Sequence, residues 1–305
     1  RSSRGLGDVY KRQMYDWAHG QCDYIEQVSH SLCSLEFKPH RDLYDWFLES
    51  IKPETQNLSV LPKQREFARL NLSYTIMSKR KLAVLVEKEL VDGWDDPRMP
   101  TISGLRRRGY TPKSIREFVN RVGVAKRENV IDVSLLEFCV REDLNKEADR
   151  KMVVIDPVKL TITNYPEGKT EELESEDNPE KDSIKKRIIP FNKHLYIERE
   201  DFKEEANRKF FRLTTGKEVR LKSAYIIKGT GVIKDAAGNI AEILCEYDPK
   251  SKSGSGTEES LRKVKGTLHW VTQKESINII VNSYDRLFKE EAPAVSYTHL
   301  TLPTS

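Results

Sequence analysis

Gly93-Trp94-Asp95-Asp96-Pro97-Arg98-Met99-Pro100-Thr101-Ile102-Ser103-Gly104-Leu105-Arg106-Arg107-Arg108-Gly109-Tyr110 decides how this chain is read. A run of that length and composition is far more specific than any three-letter motif. Seventeen residues before its first glycine stands Ile76-Met77-Ser78-Lys79-Arg80-Lys81, after a strand-like stretch and before an apolar helix start at Leu82. Taken alone, that basic string is no more than a surface loop. After the long run, Thr111-Pro112 reads as an N-cap with proline at the first helical position. Ile115, Phe118, Val119 and Val122 then make an apolar stripe, and Gly123 supplies the stop. Leu136, Cys139, Val140 and Leu144 repeat the spacing, so the middle of the chain is predicted helical.

Before this region, Met14 to Pro62 has a mixed α/β pattern, with Leu43, Trp46, Phe47, Ser50 and Ile51 on one helical face. After Arg150 the period changes to two. Val158, Leu160 and Ile162 alternate with polar residues, as do Ile243, Cys245 and Tyr247, and Val264, Leu268 and Trp270. Gly238-Asn239 reads as a hairpin turn. One helical stripe is expected around Asp201–Phe211, and the rest predicts antiparallel β-barrels. Glu167–Asp182, with eight acidic residues and two lysines, and Ser251–Ser260 read as solvated loops.

Composition narrows the function. The 305 residues are 33% charged and 37% hydrophobic, with a mean hydropathy of -0.64. No apolar run reaches the roughly 18 to 20 residues of a spanning helix, so no membrane partner is expected. The length predicts two or three packed units. With 52 Lys+Arg against 48 Asp+Glu the net charge is only +4, which excludes a bulk-cationic coat protein. Affinity for nucleic acid must then come from local patches. Cys22, Cys33, Cys139 and Cys245 contain no C-x-x-C pair, so no metal site and no disulfide scaffold is expected, and a reducing cytoplasm fits.

The termini read as foreign to the protein. Asp8-Val9-Tyr10-Lys11-Arg12-Gln13 can be encoded gat gtg tat aag aga cag, whose reverse complement, read from its third base, gives Val295 to His299 and the start of Leu300. One DNA sequence read on opposite strands accounts for both ends, and it resembles a transposon adapter from sequencing libraries. Residues 1–13 and 295–305 are therefore set aside, and a native protein longer on both sides is expected.

Ile76–Lys81 together with Gly93–Tyr110 resembles the class I aminoacyl-tRNA synthetases of the glutaminyl/glutamyl group. Met77 with Thr101-Ile102-Ser103-Gly104-Leu105 is most similar to the glutaminyl branch. The resemblance runs from Met14 to about Glu290. It implies the second half of a Rossmann catalytic domain at 14–68, the KMSKS loop and a helical subdomain at 69–149, and anticodon-binding β-barrels at 150–294. The family's HIGH motif and acceptor-stem insertion are expected upstream, so the piece by itself is expected not to activate glutamine. The implied reaction is ATP-dependent activation of glutamine and its transfer to the 3′ end of the glutamine tRNA, with Mg2+ accompanying the nucleotide and the protein acting as a monomer.

Roles follow from the resemblance, residue by residue. Ile76-Met77-Ser78-Lys79-Arg80 is the KMSKS loop, and Lys79 is the catalytic cation that follows departing pyrophosphate. Ile76 replaces the signature's first lysine, as in the glutaminyl branch. Met77, Ser78, Ser34, Arg69 and Leu70 are implied at ATP. Met14-Tyr15-Asp16-Trp17-Ala18-His19 resembles the M-Y-D-F-x-H stretch, with Trp17 for phenylalanine. Tyr15 is implied to hold the substrate amide; His19 and Cys33 line the pocket, and Gln64 orients Tyr15 or a water. Core packing is the plainer alternative for His19 and Cys33. Arg106, Arg107 and Arg108 form one basic patch. Ala125, Lys126, Arg127, Glu128, Asn129, Val130, Ile131 and Asp132 resemble the segment that packs inside the tRNA elbow. Asn145, Arg150, Arg212 and Arg220 match anticodon-contacting positions. Lys209 and Phe211 stand where bacterial relatives have Gln and Lys, so those contacts do not carry over, although Phe211 offers a stacking face. Two rivals remain: a barrel-type glutamyl enzyme with a different pocket, and a non-catalytic tRNA-binding module, for which an intact Met77-Ser78-Lys79 has no use.

Overall fold

The computed structural model describes residues 14–51, 59–181, 185–207 and 209–293, so the adapter-like ends lie outside the described residues. The chain forms two units, one of residues up to Glu142 together with those from Ser283, the other Asp143–Asn282.

The first unit opens with α1 (Tyr15–Ile25), β1 (His30–Ser34), a 3-10 turn (Leu35–His40), α2 (Arg41–Ile51) and β2 (Lys63–Phe67). β1 and β2 pair in parallel from His30↔Lys63 to Ser34↔Phe67, which makes α2 part of their crossover. Their burial inverts the usual preference: Ser31, Cys33, Gln64 and Glu66 are buried, while Leu32 and Phe67 are exposed. α2 forms as expected but buries a different face. Tyr44 and Leu48 lie inside, and Leu43 and Trp46 are exposed. Gly20 on α1 selects that face, because a Cβ there would sit 2.8 Å from the Tyr44 ring, which occupies the space.

Next come β3 (Asn71–Leu72), α3 (Lys79–Glu87), α4 (Ile102–Arg108), α5 (Pro112–Val122), β4 (Val130–Ile131) and α6 (Val133–Glu147). The signals read for α5 operate: Thr111 Oγ1 accepts from the Ser114 amide at 3.0 Å, and Gly123 ends the helix at φ 68°. Leu72, Phe118, Leu136 and Cys139 form one core. A second gathers Ile76, Leu82, Leu85, Val91 and Met99 with Leu287 and Phe288. Those last two residues are why the segment from Ser283 belongs here, whereas the sequence grouped 150–294 together.

Gly93–Tyr110 is a compact ionic knot. Asp96 is 0% exposed. It accepts Arg98 Nη2 at 2.6 Å and Nε at 3.0 Å, and the amides of Asp92 and Arg98 at 3.0 and 2.8 Å. Thr101 caps α4 by accepting from the Gly104 amide at 3.0 Å, and donates its hydroxyl to the Trp94 carbonyl at 2.5 Å. A Cβ on Gly104 would lie 2.5 Å from the Asp96 carbonyl oxygen and 2.7 Å from that of Met99, so only glycine fits.

The second unit contains β5 (Pro157–Ile162), β6 (Glu171–Glu176), β7 (Lys186–Phe191), β8 (His194–Glu198), β9 (Glu218–Leu221), β10 (Ile226–Lys234), β11 (Ile240–Tyr247), α7 (Glu258–Leu261), β12 (Thr267–Leu268) and β13 (Val271–Thr272). A seven-stranded sheet runs β12-β9-β10-β11-β5-β8-β13, and β6 and β7 pair separately. Leu160, Ile162, Phe191, Ile243, Cys245 and Trp270 belong to its core. Gly238 turns the β10–β11 hairpin at φ 84°.

Three expectations are corrected. The sheet is mixed rather than antiparallel, since β11 pairs with β5 and β12 with β9 in parallel. Described residues of Asp201–Phe211 form no α-helix: the Lys203 amide is bonded to the Leu213 carbonyl at 3.1 Å, and the Leu213 amide to that of Asp201 at 3.0 Å, which removes them from a helical ladder. The acidic stretch is not all loop, because its middle is β6. Leu173 and Ser175 face inward there, while Lys186 meets Glu174 at 2.8 Å and Arg187 meets Asp177 at 2.6 Å across the hairpin.

Burial pushes the Asp96 carboxyl up, but the hydrogen bonds from Arg98 and the two amides outweigh it and hold it at about 2, below the ordinary 3.8. The stabilisation is therefore fully present above pH ~4 and is lost as pH falls through 3.8 toward 2, a difference of about 2 kcal/mol. Amide exchange in α4, corrected for intrinsic rates, should show that loss of protection. Asp96→Asn should abolish the dependence and cost about 3–5 kcal/mol, because Arg98 is left buried and unpaired.

Candidate functional site

The buried polar face of β1 and β2 meets the first turns of α1. Tyr15 begins that helix and His19 follows one turn later, their ring centroids 4.7 Å apart. Tyr15 also lies 4.2 Å from the Phe37 ring. His19 Nε2 is 3.1 Å from Asp23 Oδ2, and Asp23 accepts from Ser31 Oγ, which in turn is 2.5 Å from the Tyr44 hydroxyl. His19 Nδ1 is buried with no partner among the described residues. Burial raises the Tyr15 hydroxyl above its ordinary value, helped by Cys33, Asp23 and Asp16, so it stays a neutral phenol able to donate and accept.

Cys33 is buried, and its Sγ approaches the Arg65 carbonyl at 3.9 Å. Burial and then the Glu66 charge push its thiol up, so it is no nucleophile at neutral pH. Gln64 donates through Nε2 to the Phe37 carbonyl at 3.0 Å and to Glu66 Oε1 at 2.8 Å. Both amide protons are thereby used; the Phe37 that accepts one at its carbonyl meets Tyr15 with its ring.

Glu66 was missed in the sequence. Arg41 Nε meets its Oε1 at 2.9 Å and Arg41 Nη2 meets Oε2. That pairing outweighs burial and, with Gln64, holds the carboxyl at about 2. The only signal available was a charged residue at an inward position of a β-pattern, which alternation alone assigns to solvent.

Ser34 ends β1 and is exposed. Arg69 Nε donates to Asn71 Oδ1 at 2.9 Å, and the Leu70 side chain packs against the Leu72 core. Met77, Ser78 and Lys79 stand at the head of α3. Among the described residues no hydrogen bond, ion pair or ring contact joins this group to Tyr15 and His19. Ile76 is buried in the second core, which explains an apolar residue where the general signature has lysine. Lys79, Arg80 and Lys81 fill the first turn of α3, where no acidic residue balances them. Cations oppose the helix dipole there. Their placement costs stability and suits an anion brought from outside.

In the 125–132 stretch, the Ala125 carbonyl accepts from the Ala68 amide at 2.8 Å. Val130 and Ile131 form β4, and Asp132 accepts from the Ser134 amide at 2.8 Å to start α6. Lys126, Arg127, Glu128 and Asn129 remain exposed between those anchors. Of the other patch, Arg107 pairs with Asp95 at 3.2 Å and Arg108 donates to the Tyr284 carbonyl at 3.2 Å, so Arg106 is the more open.

The anticodon set is unevenly committed. Arg150 meets Glu180 at 2.6 Å and the Asn145 carbonyl at 3.2 Å. Arg212 meets Asp201 at 3.1 Å. Arg220 spends its guanidinium on the carbonyls of Ser251, Ser260 and Arg262 and on Ser253 Oγ, at 2.9 to 3.3 Å. A base contact from Arg220 would have to break that fastening.

Residues 9–146 match tRNA synthetases class I (E and Q), catalytic domain, and residues 148–248 match tRNA synthetases class I (E and Q), anti-codon binding domain. The chain is 57% identical over 284 residues to a glutamine–tRNA ligase of Rhodopirellula baltica, covering 93% of this chain and 46% of that protein. It is 51% identical over 282 residues to that of Bradyrhizobium diazoefficiens, covering 92% and 49%. For Clostridium perfringens the figures are 53% over 278 residues, 91% and 49%. The chain thus spans about half the length of the curated relatives it matches.

Arg41→Met should move the Glu66 carboxyl from about 2 to above the ordinary carboxylate value, since burial then acts without a cation. Carbon-13 titration of the Glu66 side chain reads the change. A Glu66 that still titrates near 2 in the variant would assign the depression to Gln64 instead.

Proposed function

The chain belongs to the class I tRNA synthetases of the E and Q group, and on that premise we propose that it is the part of a glutamine–tRNA ligase that binds glutamine, drives pyrophosphate release and holds the tRNA. The observation that carries the proposal is the buried polar face of β1 and β2, which supplies Cys33 and Gln64, together with Tyr15 and His19 of α1, whose rings meet each other and whose side chains contact Phe37 and Asp23. Identity of 51–57% to proteins named glutamine–tRNA ligase supports the glutaminyl over the glutamyl branch.

Residues 14–68 would be the second half of a Rossmann domain, 69–149 its KMSKS loop and helical subdomain, and the sheet of the second unit would belong to anticodon-binding barrels. Activation joins a glutamine carboxylate oxygen to the α-phosphorus of ATP and breaks the bond to pyrophosphate. Negative charge then grows on the leaving oxygens, and Lys79, exposed at the head of α3, supplies the matching cation. Among the described residues no group of three His, Cys, Asp or Glu could hold a metal ion. Magnesium would travel on the nucleotide phosphates, as is usual for this ion. Tyr15, held neutral between Phe37 and His19, would take up the side-chain amide and disfavour a carboxylate. Lys126 and Arg127 would contact tRNA phosphates, with Arg150 and Arg212 nearer the bases. A single copy would serve one tRNA in the cytoplasm. No described helix is long and apolar enough to cross a membrane.

In the protein completed to the length of its relatives, Lys79→Ala should lower kcat by about 10²–10³ with little change in KM for glutamine, because the lost charge acts mainly as pyrophosphate departs. Near-normal ATP–pyrophosphate exchange would make the loop structural. In the same protein, Tyr15→Phe should shrink discrimination against glutamate by about 1–3 kcal/mol in kcat/KM. Equal losses for both amino acids would reduce Tyr15 to a wall of the pocket.

A further inference from the structure

A hollow of about 210 Å³ lies within the first unit. The Leu72 core meets it through Phe118 and Leu136, and the second core, that of Ile76, meets it through Met99 and Leu287. The two cores share no buried residue. Ile102 of α4 and Val119 of α5 line the hollow and are exposed, so it opens to solvent there. Protein interiors are packed closely enough that voids beyond the size of a water are few. An apolar cavity of about 150 Å³ accepts benzene, so this one has room for about two fused rings.

Three guanidinium groups and one carboxylate line the same space. Arg98 is neutralised by Asp96 at 2.6 Å, and Arg286 lies over the Tyr74 ring at 4.4 Å with Glu137 at 3.5 Å. Arg108 is half-buried, donates to the Tyr284 carbonyl at 3.2 Å, and among the described residues forms no ion pair. A partly desolvated guanidinium with no counter-ion attracts a carboxylate, to which it presents parallel N–H donors. Tyr74, also in the wall, has φ 56°, a conformation that is strained for a tyrosine and that recurs at ligand clamps. Its amide donates to the Glu291 carbonyl at 2.7 Å. Of the residues implied at ATP, Leu70 and Met77 line the hollow, while Ser34, Arg69, Ser78 and Lys79 do not. The hollow therefore touches the basic loop without containing its cations.

We propose that this hollow is a second ligand site, taking a flat bicyclic aromatic carboxylate with its rings between the two cores and its carboxylate on Arg108. Because Met77 is part of the wall, an occupant favours one pose of the Met77–Lys79 loop over the others and so alters pyrophosphate release. The binding stands on the cavity alone, whereas the coupling to pyrophosphate release rests on the function proposed above.

The probe is 2-naphthoate, with 2-naphthamide as its uncharged counterpart, each titrated into the full chain and followed by saturation-transfer NMR. The acid should bind with a dissociation constant of about 1 mM or below, the range for a ligand of its size, and the amide about tenfold more weakly. Val119→Trp, which places an indole at the exposed mouth, should weaken both by at least about tenfold. Arg108→Gln keeps an N–H for the Tyr284 carbonyl while losing the charge, and should bring acid and amide to equal affinity. Circular dichroism like the parent's in both variants shows that folding is not what changed. In the protein completed to the length of its relatives, saturating 2-naphthoate should change the rate of ATP–pyrophosphate exchange by about fivefold or more and leave Val119→Trp unaffected. No saturable binding by the parent, or equal binding by Val119→Trp, overturns the site. An acid that binds the parent no better than the amide overturns the role of Arg108. Binding without any change in exchange overturns the coupling alone. A completed protein with no exchange even without the probe overturns the function proposed above and the coupling with it, while the site stands.

Discussion

Asp96 is a carboxylate removed entirely from water, and the first unit is arranged around keeping it charged. Isolated burial would neutralise such a group at a cost of several kcal/mol. Two prongs of Arg98 and two backbone amides make ionisation favourable instead. Those amides dictate the path of the chain from Asp92 to Arg98, and that path brings the Asp96 and Met99 carbonyls against Gly104. α4 must start where Thr101 caps it, and Met99 enters the same core as Ile76, Leu82 and Leu85. Thus the ionic knot and the seat of the basic loop at Met77–Lys79 share one piece of packing. The most distinctive run of the sequence is distinctive because it is a structural device.

The polar face of β1 and β2, proposed above to hold the amino acid, rests on a second, smaller version of the same physics. Glu66 sits inward on β2 and is kept ionised by Arg41 and Gln64. Ser31, Asp23 and Tyr44 satisfy one another beside it. A sheet face built from such residues stabilises the fold less than valine and isoleucine would, and natural chains place this arrangement where a polar ligand must be held. The basic first turn of α3 has the same character, since the helix dipole and three cations repel until an anion arrives.

In the second unit the charges are mostly spent at home. β6 and β7 carry opposite signs and meet across the hairpin, and Arg220 ties the 251–262 loop to β9. A net charge of +4 therefore understates how selective the surface is. Lysines stand beside the half-buried ring of Phe210 and the exposed ring of Phe211, and exposed cations lie in the first unit at Lys126 and Arg127.

What the sequence by itself determined was local and periodic. The caps of α5, the stripe through Phe118, Leu136 and Cys139, the inward residues of β5 and β11, and the Gly238 turn all follow from spacing and backbone preference, which act within a few residues. The family was legible in Ile76–Lys81 with Gly93–Tyr110 for the same reason: a long ordered motif needs no tertiary knowledge to be compared. Tertiary structure alone decided which face α2 buries, because Gly20 on another helix makes room for Tyr44. It alone showed that the middle of the acidic stretch is a strand, because its neutralising partners lie on β7, and that the described residues of Asp201–Phe211 form no α-helix, because Leu213 claims backbone groups there. The parallel pairings of β5 with β11 and β9 with β12 join segments far apart in the chain, and no local period encodes which distant edge a strand will meet. Glu66 belongs to the same class, since a buried carboxylate becomes tolerable only once Arg41 is brought to it by the fold.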